Sequence, residues 1–211
     1  MTAAGLRRYA RAAPAAADAV APQVERCALC GTELGGRHGH LVALDDRALQ
    51  CACRPCYLLF TPAGAAGGRI RAVPDRYLTD PVRPITDPDW ELLQIPVTTA
   101  FFFVNSDLDQ VVACYPSPAG ATESLLDLAG WERFRQVYPL LRLPEPDVEA
   151  IYVTGAGADL EAYLVPIDAC FALAGTVRLR WQGLDGGPAV RQALAAFHDD
   201  LRRRSRPYER D

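Results

Sequence analysis

Four segments of the chain are rich in β-branched and aromatic residues, a composition that favours β-strands. They are VTTAFFFVN (97–105), QVVACYP (110–116), VEAIYVT (148–154) and LEAYLVP (160–166). The turn-forming residues 106–109 separate the first pair, and Gly155, Ala156 and Gly157 separate the second. The pattern therefore predicts two β-hairpins.

Apolar residues at helical spacing predict three helices in the same region. The first is predicted to begin at Glu123, with Thr122 as its N-cap, and to end before Pro139. Its expected buried face consists of Leu125, Leu128, Ala129, Phe134, Val137 and Tyr138. The second is predicted to begin at Pro166, and its expected buried face consists of Cys170, Leu173, Ala174, Val177 and Trp181. The third, VRQALAAFHDDLRRR, follows a break at two adjacent glycines.

The resulting order of elements, ββαββαα, is typical of an α+β fold in which helices cover one face of an antiparallel sheet. The domain boundaries are predicted from changes in composition along the chain. Pro, Gly and Asp are dense in the segment that precedes the α+β domain, which indicates a connector. We predict a flexible leader (1–24), a metal-binding domain (25–60), a Pro/Gly-rich connector (61–89), the α+β domain (90–204) and a tail (205–211).

Five of the seven cysteines lie in a short stretch near the start, and four of them form two CxxC pairs. The pairs are Cys27 with Cys30 and Cys53 with Cys56, a pattern that indicates a four-cysteine zinc ribbon. Between the pairs, HLVAL and ALQCAC predict a hairpin around residues 45–47 that would bring them together. We therefore expect one metal ion per chain, zinc by default and iron as the alternative.

Two neighbouring residues are further candidates for this site. Cys51 lies two residues before Cys53, so it is either an alternative ligand or a buried thiol, and we expect the buried thiol. His40 is an alternative ligand, a residue that hydrogen-bonds to a ligand, or a surface residue. We favour the last two roles, because two CxxC pairs already fill a tetrahedral shell.

Composition and charge narrow the possible functions. All 22 basic residues are arginine, which excludes Schiff-base, P-loop and kinase-type lysine chemistry. The net charge of −4 gives no reason to expect a nucleic-acid partner. No apolar run is long enough for a membrane span, and the leader lacks the uninterrupted apolar segment of a signal peptide. We expect a cytoplasmic protein, where clustered cysteines are more typical of metal ligands than of disulfides.

The segment YPSPAGATES (115–124) is predicted to be a tight turn between a strand and a helix. It is also the candidate partner-contact loop, and its contact residues are Ser117, Pro118, Gly120, Thr122, Glu123 and Ser124. It matches neither a P-loop nor a dinucleotide fingerprint, and the chain has no GxSxG motif. The sequence thus offers no recognisable catalytic motif here.

The remaining candidate catalytic groups also lack evident partners. Nothing in the spacing of Glu123, Glu149 and Asp168 pairs them as acid and base. His198 is expected on a helix surface, while Cys114 and Cys170 lie in apolar contexts that predict core thiols. We therefore predict that the chain is not an enzyme, with a hydrolase as a distant alternative.

Several motifs together resemble an uncharacterised bacterial family of unknown function. They are CALC, HGHLVAL, CACRPC, AFFFVNS, YPSPAGATES, PDVEAIYV, VPIDACFALAG and RWQGLDGG, and the resemblance covers residues 25–204. Members of that family are usually encoded beside the structural subunits of high-affinity, oxygen-tolerant nickel–iron hydrogenases. The resemblance implies an accessory role, with a hydrogenase subunit or maturation factor as the partner, and it supplies no established activity.

Two functions fit these expectations. The first is a metal-stabilised adaptor that assists assembly, maturation or docking of a nickel–iron hydrogenase through its cysteine segment and its YPSPAGATES segment. The second is a rubredoxin-like iron protein that transfers electrons near the hydrogenase. Both cysteine pairs of rubredoxin resemble CxxCG, whereas here Gly31 follows the first pair and Tyr57 follows the second. That difference favours zinc and the adaptor.

Overall fold

A computed structural model describes residues 24–95, 97–155 and 160–209. Nearly all of the predicted leader therefore lies outside the described residues, as do Ala156 and Gly157 of the predicted second turn. The described residues form two β-sheets, one of three strands and one of seven, together with five α-helices. The chain is thus a mixed α+β protein.

The three-stranded sheet contains β1 (Gly39–Ala43), β2 (Ala48–Ala52) and β3 (Ile70–Ala72), in the order β2-β1-β3. Both pairings are antiparallel, and β1 and β2 are joined by a turn in which Arg47 has a φ of +57°. The short helix α1 (Arg54–Leu58) follows β2 directly. We call residues 25–72, which contain this sheet, the small unit.

The seven-stranded sheet has the order β10-β4-β9-β8-β5-β6-β7. Its strands are β4 (Leu78–Thr79), β5 (Thr99–Asn105), β6 (Gln110–Ser117), β7 (Gly120–Ser124), β8 (Glu149–Thr154), β9 (Glu161–Pro166) and β10 (Arg206–Pro207). All neighbouring strands are antiparallel except the edge pair β10 and β4. The four predicted strands of this region are confirmed as β5, β6, β8 and β9. We call residues 78–207 the large unit.

Helices cover both faces of the seven-stranded sheet, so the prediction of helices on one face is wrong. The helices are α2 (Asp87–Glu91), α3 (Leu128–Val137), α4 (Ile167–Arg180) and α5 (Gly187–Arg204), with short 3-10 helices at Ala65–Gly68 and Pro139–Arg142. α4 and α5 pack on the face that carries Phe101 and Tyr152. α2 and α3 pack on the opposite face, which carries Phe102 and Ile151.

Burial on both faces explains the continuous apolar runs in the central strands. Alternate residues of a strand point to opposite faces, so a run such as AFFF contributes to both cores. Phe101 and Phe102 are both fully buried, and every residue of β8, the middle strand, is buried. The large unit therefore contains two substantial hydrophobic layers.

The start of the first predicted helix is also wrong. Residues 120–124 form β7, and α3 begins only at Leu128, where the Asp127 side chain caps the N-terminus by accepting a hydrogen bond from the Ala129 N–H. Leu125, expected on a buried helical face, is 97% exposed. In contrast, the predicted buried positions Cys170, Leu173, Ala174 and Val177 of α4 are all buried.

The segments predicted as a connector and a tail contribute strands to the two sheets. Residues 61–89 supply β3 to the small unit and β4 to the large unit, and β10 from residues 205–211 pairs with β4. Within the connector segment, Val73 and Tyr77 are buried in the same core as α4 and α5.

One face of the three-stranded sheet packs against the large unit. Val42 on this face joins the core formed by α4 and α5. On the same face, opposite Val42, Arg71 donates hydrogen bonds to the Pro146 carbonyl and to the Glu145 carboxylate. At the hairpin turn, Arg47 donates to Asn105 Oδ1 at the end of β5. The opposite face, with Leu41 and Ala52, covers the cysteine segment.

None of the helices in the described ranges combines the length and the apolar character that crossing a membrane requires.

Candidate metal centre

The first CxxC pair lies in a tight turn before β1. Cys27 is buried, whereas Cys30 is exposed at the outer side of the turn. Gly31 has a φ of +74°, a conformation that glycine adopts at little cost, and its N–H donates to the Cys27 carbonyl at 2.9 Å. A second hydrogen bond, from the Cys27 N–H to the Thr32 carbonyl, closes the turn. The turn thereby holds both sulfurs on the same side.

The second CxxC pair lies where β2 changes into α1. β2 ends at Ala52, and Cys53 is the extended residue that precedes the helix, with φ −67° and ψ 158°. Cys56 lies in the first turn of α1, which Pro55 helps to start because its fixed φ suits a helix N-terminus. Two cysteines three positions apart across a helix start project toward the same point.

The hairpin brings the two pairs together. One sulfur from each of Cys27, Cys30, Cys53 and Cys56 lies within 4.8 Å of every other, and Cys30 Sγ is 3.6 Å from Cys53 Sγ. Four sulfurs at this separation are the ligand set of a tetrahedral zinc or iron site. The four cysteines, which we call the four-cysteine cluster, could therefore bind a metal ion.

The four thiols influence one another's protonation. Hydrogen bonds, chiefly from the Cys53 N–H, lower the pKa of Cys27 to about 6, and Thr32 lowers the pKa of Cys30. The neighbouring Cys53 thiol and burial raise the pKa of Cys56 to about 12. Four thiols this close cannot all ionise without a compensating cation, so binding of a metal ion would release protons from the cluster.

Cys51 is not part of the four-cysteine cluster. A role for Cys51 as an alternative ligand depends on a continuous strand through Cys53, and here the strand ends between Cys51 and Cys53. Cys51 lies instead across the hairpin from His40, which is its direct partner in the antiparallel register. Its sulfur lies close to His38 and His40, in a second group of potential metal ligands.

His40 and Asp168 connect the small unit to the large unit. His40 Nδ1 lies 2.5 Å from Asp168 Oδ2, at the N-terminus of α4. This hydrogen bond raises the pKa of His40, and burial opposes that effect. The two residues are 128 positions apart in the chain, so no local pattern indicates the pair.

The YPSPAGATES segment is a β-hairpin rather than a turn between a strand and a helix. Ser117 pairs with Gly120 around the exposed residues Pro118 and Ala119. The Ser117 and Thr122 hydroxyls hydrogen-bond at 2.7 Å, so Thr122 joins the hairpin instead of capping a helix. Glu123 and Ser124 lie on the edge strand β7.

Among the described residues, the other candidate acid–base groups and thiols do not contact one another as a catalytic set. Glu149 is fully buried, and Arg76 binds both of its carboxylate oxygens, at 2.8 and 2.6 Å. The prediction of a surface position for His198 is wrong: the residue is partly buried, and its Nε2 lies 2.7 Å from the hydroxyl of the buried Tyr152. Burial raises the pKa of the Cys114 thiol to about 12 and that of Cys170 well above its usual range, as expected for core thiols.

The fold and the cluster define a mixed α+β protein with a four-cysteine group that could hold a metal ion. A family model matches residues 26–205, and the chain therefore belongs to a family of unknown function, DUF5947. Neither a curated protein nor a solved structure matches the chain.

Proposed function

We propose that this chain is a non-enzymatic adaptor, stabilised by zinc, that assists the assembly, maturation or docking of a nickel–iron hydrogenase. The observation that supports it most is the four-cysteine cluster, which joins two segments of the small unit at one point. A metal ion at that point would hold both CxxC pairs rigid. The choice of partner rests on the resemblance to a family encoded beside hydrogenase subunits.

The conformation of the second cysteine pair supports zinc over iron. Rubredoxin has a CxxCG-like turn at both pairs, and here only the first pair is followed by a glycine with positive φ. After Cys56 the chain continues as the helix α1. A site that closes a small fold needs no redox activity, which also suits zinc.

Exposed leucines beside the cluster support a contact role. Leu29 lies between the cysteines of the first pair, and Leu58 and Leu59 follow the second pair. All three are exposed, Leu59 at 67%. Apolar side chains held at fixed positions near a rigid metal site suit a protein–protein contact. The exposed tip of the β6–β7 hairpin, at Pro118, is the second proposed contact surface.

Affinity purification tests this proposal. Tagged chain should co-purify with a hydrogenase subunit or its precursor, and Leu58→Ser with Leu59→Ser should reduce the recovered partner at least tenfold. Leu179→Ser with Leu184→Ser is the matched control, because both leucines are highly exposed and lie in the large unit, at and beyond the end of α4. Normal hydrogenase activity in a deletion strain would contradict the accessory role.

A rubredoxin-like electron carrier is the second candidate, and the exposure of Cys30 favours it, because electrons transfer readily from a metal near the surface. Purification after growth with added iron separates the two candidates. A colourless protein that contains zinc supports the adaptor. A red protein with thiolate-to-iron absorption supports electron transfer, and turnover on a hydrolase panel would contradict both.

A further inference from the structure

We propose that His38, His40 and Cys51 form a second metal site, distinct from the four-cysteine cluster, with zinc as its ion. One ring nitrogen from each histidine and the Cys51 sulfur all lie within 4.8 Å of one another. None of these residues belongs to the four-cysteine cluster. The chain would then bind two ions, one in an all-sulfur site and one in a mixed site.

The hairpin places the three side chains together. His40 and Cys51 are direct partners in the β1–β2 register, so both point to the same face of the small sheet. His38 is two residues before His40, and the two rings lie 4.9 Å apart in an edge-to-face arrangement. This is the face that packs toward the large unit, where Asp168 contacts His40. The site would therefore lie between the two units.

Both histidines are oriented through the same ring nitrogen. The His40 Nδ1–H donates to the Asp168 carboxylate, and the His38 Nδ1–H donates to the Gly35 carbonyl at 2.9 Å. In a neutral imidazole, such a bond leaves the Nε2 lone pair free to bind a metal. A histidine that binds a metal almost always donates its other N–H to a carboxylate or a carbonyl. Each histidine here has that partner.

The Nε2 atom of His38 gives a second, independent indication of a ligand. Its side chain is only 9% exposed, and among the described residues this nitrogen has no hydrogen-bond partner. The nearest carboxylate oxygen, from Glu25, lies 3.7 Å away, beyond hydrogen-bond distance. A buried nitrogen without a partner costs free energy, and a metal ion bound to Nε2 would remove that cost.

The donor set identifies the class of ion. Two imidazoles and one thiolate suit zinc, and three protein ligands with an open fourth position are the arrangement of catalytic zinc sites. Ligand atoms of a tetrahedral zinc site lie roughly 3.3–3.8 Å apart, given bonds of about 2.0–2.3 Å. Closure from 4.8 Å thus needs side-chain movements on the order of 1 Å. The three residues line a cleft of about 930 Å³, so a water molecule or small ligand could fill the fourth position.

Native mass spectrometry of the full chain, purified with zinc, tests the proposal. Wild type should carry two zinc ions, and His38→Gln, His40→Gln and Cys51→Ser should each carry one. His198→Gln is the matched control, because His198 is also partly buried and hydrogen-bonded but lies in the large unit, and it should carry two. Circular dichroism confirms that each variant is folded.

Cobalt substitution identifies which ion is lost. The ion retained by Cys51→Ser should show the charge-transfer absorption of four thiolates, since that variant keeps the four-cysteine cluster. Asp168→Asn touches none of the cysteines, and it should weaken only the second ion, about tenfold or more. A wild type that carries one ion in an all-sulfur site would overturn the proposal, as would two ions in all three variants or an unchanged affinity in Asp168→Asn.

Discussion

The two units of this molecule reach a folded state by different means. In the large unit, both faces of a seven-stranded sheet are covered, and aromatic residues such as Phe101 and Phe102 are fully buried. In the small unit, the core consists of Cys27, Leu41 and Ala52 with partly buried neighbours. So small a core cannot offset the entropy of ordering its chain, and the additional stability could come from packing against the large unit and from a metal ion at the four-cysteine cluster.

Removal of the metal ion is expected to give the largest loss of stability. The loss should affect the small unit and leave the large unit folded. Structural zinc in small domains contributes an apparent binding free energy of about 10–16 kcal/mol. Replacement of Cys27, Cys30, Cys53 or Cys56 by Ala should therefore release the ion of the four-cysteine cluster. Hydrogen exchange should then become fast in β1 and β2 and stay slow in β5 and β8.

Cys170→Ala provides the control for that experiment. Cys170 is fully buried in the large unit, so its loss should weaken protection in β8 and leave the four-cysteine cluster occupied. If exchange in β1 and β2 stays slow without metal, packing against the large unit is sufficient to keep the small unit folded. The proposed difference between the two units would then be wrong.

Arg76→Ala should destabilise the large unit by about 3 kcal/mol, because it would leave Glu149 as a buried charge without its partner. Arg76 lies in the chain between β3 and β4, and it binds both carboxylate oxygens of Glu149. Denaturant unfolding measures the change. Arg71→Ala is the control: its Glu145 partner is about half exposed, so the loss should be about 1 kcal/mol. Equal losses in the two variants would show that burial of Glu149 does not determine the effect.

Gly130→Ala should destabilise the protein by about 1–3 kcal/mol, because an added Cβ would lie 2.7 Å from the Leu92 carbonyl oxygen. This close approach lets α3 pack against the segment that follows α2. Gly175, in the middle of α4, has no atom within 4 Å of the corresponding position. Gly175→Ala should therefore stabilise the protein by about 0.5–1 kcal/mol, through helix propensity. Thermal unfolding should therefore show a lower Tm for Gly130→Ala and a higher Tm for Gly175→Ala than for wild type.

Local patterns in the sequence predicted the strands of the large unit and the grouping of the cysteines. Both depend on short-range information: residue composition within a strand, and the spacing of two CxxC pairs across one hairpin. The continuous apolar run of β5 also indicated burial on both faces, and the prediction of helices on one face did not use that information. The helix prediction at Glu123 failed because residues 120–124 pair with β6 in a hairpin, and this pairing outweighs helical spacing.

The contacts between the units could not be predicted in this way. His40 and Asp168 meet only because the small sheet packs against the start of α4, and no local pattern encodes that packing. The HGH motif did contain a usable signal, since the strand residue His40 and the preceding His38 are two positions apart, the spacing at which extended residues share a face. Together with Cys51 on the partner strand, this alternation indicates a cluster of potential ligands.

The smallest change in stability is expected from protonation of His198, which lies in the large unit. Burial and the nearby Arg202 lower the pKa of His198 below its usual value of about 6.5. The Tyr152 hydroxyl can donate to Nε2 only while the imidazole is neutral at that atom. The unfolded chain therefore binds a proton at higher pH than the folded protein, and stability must fall as the pH decreases from about 6.5. His198→Gln should show a weaker decrease between pH 7 and 5, measured by denaturant unfolding. An NMR titration that places the His198 pKa above that of a model peptide would contradict this sign.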